Sequence, residues 1–450
     1  DKNWVPPLLL ERKQALSPSQ GIFKHLIWKG WVAYENQTPV GRISAQVDQA
    51  HLEQYNDHTG FFGNFECIDD IKVAMELFRV AENWLKEQGM NSVRGPFSLN
   101  INQEVGLLVE GFDTPPYFMM THAPKYYGKL IEQLSYKKSM DMFAFLINTN
   151  FEPPSFMTKL LAKLDGKVAL RAIDRKNANG DLEVIREIFN DAWSENWGFV
   201  PFDKEEFLAI GKEMLMLVPA DFIQIAEIDR EPVAFLVLLP NLNEAIADLN
   251  GRLWPTGLFK LIRRLKFGYP STGRIPLMGV RRRFHNTRLG PGLALSVIDA
   301  VRPHAVNKGI TSVEMSWVLE NNEGMKTIVD FFGSNTAQKI VDSGIRAKLL
   351  IAFNVLPHVP DLNDFILGMK KIMDKNGVIV VQFSAYLLDV IQKCEFDMVY
   401  HEHFSYFSLF TLKKIFESVN LEIFDAEKIS VHGGSLRLFI KSKDNLELKI

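Results

Sequence analysis

The order of elements changes near residue 329, and that change limits what the chain can fold into. Upstream, one order is read twice. His25-Leu26-Ile27-Trp28 and Trp31-Val32-Ala33-Tyr34 run into the turn Glu35–Pro39, and Val40–Val47 returns, which is a hairpin pattern. Phe61–Cys67 is a further strand. Asp69–Gln88 is a helix with Asp69 as cap, a stripe of Val73, Leu77, Val80, Ala81, Trp84 and Leu85, and Gly89 as its stop. Asn91–Gly95 follows as a strand. The second pass has a helix at Leu182–Trp193, strands at Phe222–Glu227 and Val233–Leu238 around the turn Asp229–Pro232, and a strand at Ile275–Val280. A helix Leu293–Lys308, ended by Gly309, and a strand Thr311–Val318 close it. Residues 1–150 and 151–328 thus read as two α/β units related by a duplication of fold.

Residues 329–450 follow a different rule. Ala347–Asn354 is a strand, Leu362–Met373 a helix, Val378–Phe383 a strand and Leu412–Val419 a helix. Glu422–Ile429 and Ser435–Lys441 close the chain as strands. Alternating strands and helices predict a parallel sheet, with the last two strands as an antiparallel pair at its edge.

Charge is unevenly distributed. Between Arg252 and Arg288 stand ten Lys or Arg and no Asp or Glu, in a chain whose net charge is -3. The concentration favours an anionic partner, and the balance of the whole chain argues against nucleic acid. Inside this stretch, Val280–Leu293 places basic residues and Gly290-Pro291-Gly292 between a strand and a helix. Unsatisfied N–H groups at a helix start suit a pyrophosphate, and glycines allow close approach. CoA, an acidic carrier protein or an anionic lipid surface would each fit such a charge. Leu253–Leu265 is basic and amphipathic. It reads as a lid, a membrane-surface helix, a carrier-protein dock, or a surface helix with its apolar face in the core.

Cys67 and Cys394 are far apart and lack metal-ligand spacing, so neither a zinc site nor a disulfide framework is expected. A reducing, cytoplasmic location is the expectation. The first residues show neither a basic nor an apolar signal region, and no run is long enough for a membrane span.

Residues 275–325 resemble the cofactor-binding core of the GNAT superfamily of N-acyltransferases. Arg288, Gly290 and Gly292 match its Gly-x-Gly loop, with Arg283 and Leu289 beside them. Asn322 matches the Asn-bearing start of its next helix. The fuller pattern is similar to tandem GNAT-like proteins over residues 1–328. Arg94–Asn100 and Glu110–Pro116 are segments of that family, and the first unit, lacking the loop, is read as degenerate. The resemblance implies acetyl-CoA or a longer acyl-CoA as donor, a small-molecule amine as acceptor, and a sheet splayed at Val313–Val318 to admit pantetheine. Glu314 and Glu320 are the candidate bases. Ile328 and Val329 stand where many members carry a Tyr acid. The closing strands of the second unit are expected after residue 330, where another pattern begins.

That pattern resembles the C-terminal part of S-adenosylmethionine-dependent sugar C-methyltransferases. Its motifs are Tyr400-His401-Glu402-His403-Phe404 and Val431–Arg437. The resemblance implies His403 as base, Tyr400 and Glu402 as its neighbours, and Asn354–Val359 as a strand end beside the substrate. The donor-binding half of the Rossmann-like sheet and the cysteine module are not in the chain. The tail is therefore expected to be a partial sheet, silent in methyl transfer. The readings carried forward are an N-acyltransferase, a methyltransferase fragment completed by a partner, and a non-catalytic acyl-CoA or carrier-protein binder, with a fusion of two unrelated blocks as the origin of the join.

Overall fold

A computed structural model describes residues 2–151, 155–285, 287, 289–321, 332–342, 344–359, 361–384, 386–394, 404–429 and 435–445. It divides into two compact units, Asp1–Glu152 with Leu164–Glu323, and Pro153–Lys163 with Gly324–Ile450.

In the first unit, α1 (Leu9–Ala15) precedes the hairpin of β1 (Leu26–Glu35) and β2 (Thr38–Asp48). Asn36 and Gln37 both take positive φ at its turn, which matches the twist of paired strands. After α2 (Gln49–Tyr55), β3 (Thr59–Cys67) adds antiparallel to β2. α3 (Ile71–Glu87) then crosses to β4 (Ser92–Arg94), parallel to β3. The sheet order is β1-β2-β3-β4. The cap of α3 is Asp70, one residue later than the sequence suggests. Asp70 is extended, and its carboxylate accepts from the Lys72 N–H. Leu77, Phe78, Ala81 and Leu85 on α3 pack with Ile43, Ala45, Phe62 and Phe65 of the sheet, together with Tyr127 and Leu130 of α4 (Tyr126–Gln133). Each fully buried large side chain contributes roughly 1.5–3 kcal/mol.

β5 (Met142–Asn148) does not join this sheet. Beyond α5 (Ser155–Leu164), the chain builds β6 (Ala169–Ala172), α6 (Ala178–Trp193) and α7 (Lys204–Leu217). β7 (Ile223–Ile228), β8 (Glu231–Pro240), α8 (Leu242–Ile246), α9 (Gly257–Phe267) and β9 (Thr272–Val280) follow. α10 (Leu289–Asn307) and β10 (Ser312–Leu319) complete the unit. Six strands lie in the order β5-β10-β9-β8-β7-β6. β8 is its most buried strand, which explains the continuous apolar run Val233–Leu239.

This order corrects one expectation. The strand on the far side of β10 does not come from beyond residue 330. β5 fills the position from upstream, antiparallel, with Met315 opposite Phe145 and Val313 opposite Ile147. A strand edge needs hydrogen-bond partners whatever their place in the chain.

In the second unit, α5 groups with residues after 324. α11 (Ser334–Asp342), β11 (Ala347–Phe353), α12 (Leu362–Ile372), β12 (Met373–Phe383), α13 (Leu387–Gln392), α14 (Leu409–Glu417), β13 (Leu421–Ile429) and β14 (Ser435–Ser442) follow. The sheet order is β11-β12-β14-β13, with the antiparallel closing pair that the sequence predicted, but the sheet is mixed, parallel at β11–β12 and antiparallel at β12–β14. Ile366 and Met369 of α12 and Leu412 and Phe416 of α14 cover one face, against Ile379, Val381, Leu438 and Ile440. On the other face Leu349 and Ile351 of β11 are exposed. The fold is thus mixed α/β, with a four-stranded and a six-stranded mixed sheet in the first unit and a four-stranded mixed sheet in the second.

Candidate active site

β9 and β10 pair in parallel only from Thr272–Ile275 against Ser312–Met315. Both strands continue, β9 along β8 and β10 along β5. A shift of register between Met315 and Val318 on β10 marks the parting. The sheet is therefore forked at the strand where the sequence predicted a splay.

Arg274 forms the floor of the fork and is 2% exposed. Its Nε donates to Ser316 Oγ at 2.8 Å, and its Nη1 donates to the carbonyls of Phe118 at 3.1 Å and Met119 at 3.0 Å. Met119 takes φ +63, which few residues adopt without local compensation. The guanidinium also lies 4.9 Å from the Trp317 ring centroid. Burial pushes Arg274 down to about 10, so it stays charged at neutral pH.

Glu314 sits opposite Arg274 in register. It accepts from Ser316 Oγ at 2.8 Å and lies 3.9 Å from Arg274 Nε. Burial raises its carboxyl above the ordinary range, while Ser316 and Arg274 pull it back. The chain Arg274 to Ser316 to Glu314 holds one carboxylate at the apex, with a raised proton affinity suited to a base. Glu320, the other candidate, accepts from the Asp141 N–H at 3.2 Å and Lys138 Nζ at 3.3 Å. Those bonds tie the end of β10 to the residues before β5, so the two carboxylates are not brought together.

The first half of this unit supplies one wall of the site. Trp317 packs with Phe61, Phe97 and Val105, joined by Met142 and Trp197. Phe61 and Phe97 also line a narrow crevice with Asp48, His51, Arg94 and Asn100. His51 Nε2 lies 3.1 Å from Asp57 Oδ1, and burial pushes its imidazole down. His25 Nδ1 lies 2.7 Å from Asp48 Oδ1, and its Nε2 lies 3.5 Å from Glu206 of α7. Hydrogen bonds to Asp48 and then Glu206 push His25 up to about 10 against its desolvation.

At the expected cofactor turn, the arginines are engaged. Arg281 Nε donates to the Pro232 carbonyl at 2.9 Å, and the Arg282 side chain pairs with Glu195. Arg283 Nη2 lies 2.6 Å from Glu231 Oε2 at the surface. α10 starts at Leu289, four residues earlier than the sequence reading, so Gly290, Pro291 and Gly292 lie inside its first turn. Proline is tolerated there because a first-turn N–H has no helical partner. A Cβ on Gly290 would overlap the Phe284 carbonyl oxygen, so only glycine lets the helix leave the Arg282–Phe284 turn so closely. Arg288 and Asn322 lie outside the described residues.

Tyr400, Glu402 and His403 also lie outside the described residues. The adjoining Phe404 donates its N–H to the Pro357 carbonyl at 2.8 Å, which brings that motif's end to Asn354–Val359. Arg437 Nη2 donates to Gln382 Oε1 at 2.8 Å.

Sequence reasoning counted Arg274 among ten clustered cations and did not single out Ser316, His25, Asp48 or His51. The sequence reading began this strand at Ile275, one residue past Arg274, so the place of Arg274 inside β9 emerged only in the structure.

Residues 289–426 match a methyltransferase-domain family. The match starts in α10 and β10, which the structure builds into the six-stranded sheet. C-methyltransferase NovU of Streptomyces niveus is 33% identical over 119 residues, 26% of this chain and 28% of that protein. A solved tandem GNAT protein from the clavulanic acid biosynthesis pathway is similar over 72% of this chain and 83% of its own, with a TM-score of 0.41 and 11% identity. Protein YghO of Escherichia coli K12 is 48% identical over 337 residues, 74% of this chain and 86% of that protein. A bacterial ceramide synthase of Caulobacter vibrioides is 40% identical over 336 residues, 74% of this chain and 88% of that protein. The chain belongs to the family that contains YghO and this bacterial ceramide synthase, and it carries a methyltransferase-domain segment at its C-terminal end.

Proposed function

We propose that the first unit is an N-acyltransferase that moves an acyl group from acyl-CoA to the amine of a long-chain acceptor. The observation that carries this reading is the fork between β9 and β10, with Glu314 at its apex. The pantetheine arm would enter the fork. The first turn of α10 and the basic residues before it would face the phosphates. The amine nitrogen attacks the thioester carbonyl. A C–N bond forms, the C–S bond breaks, the amine proton passes to Glu314, and the CoA thiolate leaves and is protonated.

The acceptor class follows from two supports. One relative is named a ceramide synthase, and a ceramide is an N-acylated long-chain amino alcohol. The apolar wall of Phe61, Phe97, Met142, Trp197 and Trp317 suits an alkyl chain. The test is CoA release with acetyl- to palmitoyl-CoA against a panel of short and long amines, with mass detection of the amide. Release of CoA with formation of the amide is the expected result. No amide from any pair, with the acyl-CoA intact, would remove the reading.

The methyltransferase-domain match supports a second activity in principle, with His403 as base. We propose instead that the tail is silent, because among the described residues its sheet consists of β11 to β14 and includes no further strands to hold S-adenosylmethionine. Titration with S-adenosylmethionine is expected to give no heat, and micromolar binding would overturn this assignment.

A further inference from the structure

Among the described residues no helix is long and apolar enough to cross a membrane. α9 nevertheless places apolar side chains in solvent. Trp254 is 82% exposed, Phe259 72% and Phe267 82%, and Leu258 and Ile262 are exposed beside them. The inner face of the helix is anchored differently. Gly257 is buried, and Arg264 Nη1 donates to the Ala245 carbonyl at 2.7 Å and pairs with Asp248. The helix therefore does not turn its apolar side into the core, which was one of the readings of its sequence.

The outward face also carries charge of one sign. Arg252, Arg263 and Lys266 are exposed, and neither Arg252 nor Arg263 makes an ion pair with a described residue. No acidic residue stands between Arg252 and Arg288. Of the nearby carboxylates, Asp248 pairs with Arg264 and Lys260, Glu244 of α8 accepts from Ser271 and Thr272, and Glu11 of α1 pairs with Arg12. The patch extends to α1, where Leu9 donates its N–H to the Gly251 carbonyl at 2.9 Å, and Leu9 and Leu10 are exposed.

We propose that α9, with Trp254, docks the protein on an anionic bilayer surface, lying in the plane of the headgroups. An acidic surface alone would account for the cations and not for the exposure of Trp254, Phe259 and Phe267 beside them. A bilayer takes both, with apolar side chains below the headgroups and Lys and Arg among the phosphates. The proposal stands on α9 and is independent of the acyl-transfer reading.

The test is co-sedimentation of the full chain with phosphatidylcholine vesicles containing either no phosphatidylglycerol or about one-third of it. Binding is expected to the anionic vesicles and to weaken with salt. Phe259→Ser with Ile262→Ser should lower affinity at least about tenfold. Arg263→Gln and Lys266→Gln should each lower it about fivefold. Quenching of tryptophan emission by brominated lipid should fall in Trp254→Phe. These side chains are exposed, so unchanged melting of each variant separates docking from folding. Absence of vesicle binding would overturn the proposal. So would binding indifferent to both sets of variants, capture of an acyl carrier protein without vesicle binding, or a change of oligomeric state as the only effect.

Discussion

The first unit contains two parallel strand pairs that begin alike and end differently. β3 and β4 pair from Thr59–Phe61 against Ser92–Arg94, and β9 and β10 pair over four rungs. In the first, the chain fills its own gap. Phe97 donates its N–H to the Phe62 carbonyl at 2.8 Å, and Gln46 Nε2 donates to the Phe97 carbonyl at 2.6 Å. A Cβ on Gly63 would overlap that Phe97 carbonyl oxygen. In the second, the strands diverge around Arg274, Ser316 and Glu314. One topology thus gives a plugged fork and an open one. What differs is whether backbone or ionisable side chains occupy the parting, and only the second leaves groups for chemistry.

The largest expected effect tests the open fork. Glu314→Gln should lower kcat about 10²–10⁴-fold while KM for acyl-CoA stays nearly constant. Because burial raises the Glu314 carboxyl, the acid limb of the pH–rate profile should lie above the ordinary carboxylate range and vanish in the variant. A loss under tenfold would assign the base elsewhere. Arg274→Ala removes a buried cation from its acceptors, and denaturant titration should show a loss of about 3–5 kcal/mol. An unchanged midpoint would mean that the fork does not depend on its floor.

The two halves are tied by His25, held between Asp48 and Glu206. Its folded value of about 10 lies above the ordinary 6.5, so its stabilisation is full below 6.5 and is lost as pH rises through 10. Stability should fall by on the order of 2–4 kcal/mol between those limits, and His25→Gln should flatten the slope. An equal slope in the variant would place the pH dependence in other groups. The smallest effect tests the plug. Gly63→Ala should destabilise by about 1–3 kcal/mol, since Phe97 must move. If melting were unaffected, the first fork would be open after all.

The elements of the tail were legible because each strand is bounded by turns and each helix repeats its apolar positions. The hairpin β1–β2 and helix α3 were legible for the same reason. β5 was not read, because Met142–Asn148 is apolar at most positions and its partner β10 lies far along the chain. The start of α10 was misplaced because a proline between glycines reads as a turn, yet a first helical turn accommodates all three. Glu314 was named by its closeness to the expected cleft. Its partner Arg274 was not, since pairing across neighbouring strands leaves no local mark, and Ser316, two residues along the same strand, reads as an ordinary strand serine.

Local periodicity and turn chemistry therefore determined, from the sequence alone, many of the strands and helices and where the pattern changes. They also marked the glycines that open α10 and the basic stretch around α9. Tertiary structure decided that β5 closes the six-stranded sheet, that Arg274 is buried while α9 turns its apolar side to solvent, and that one fork is plugged and the other holds a carboxylate. These outcomes depend on which strand edges and faces meet at long range, and hydrogen-bond pairing and burial set that through the whole fold.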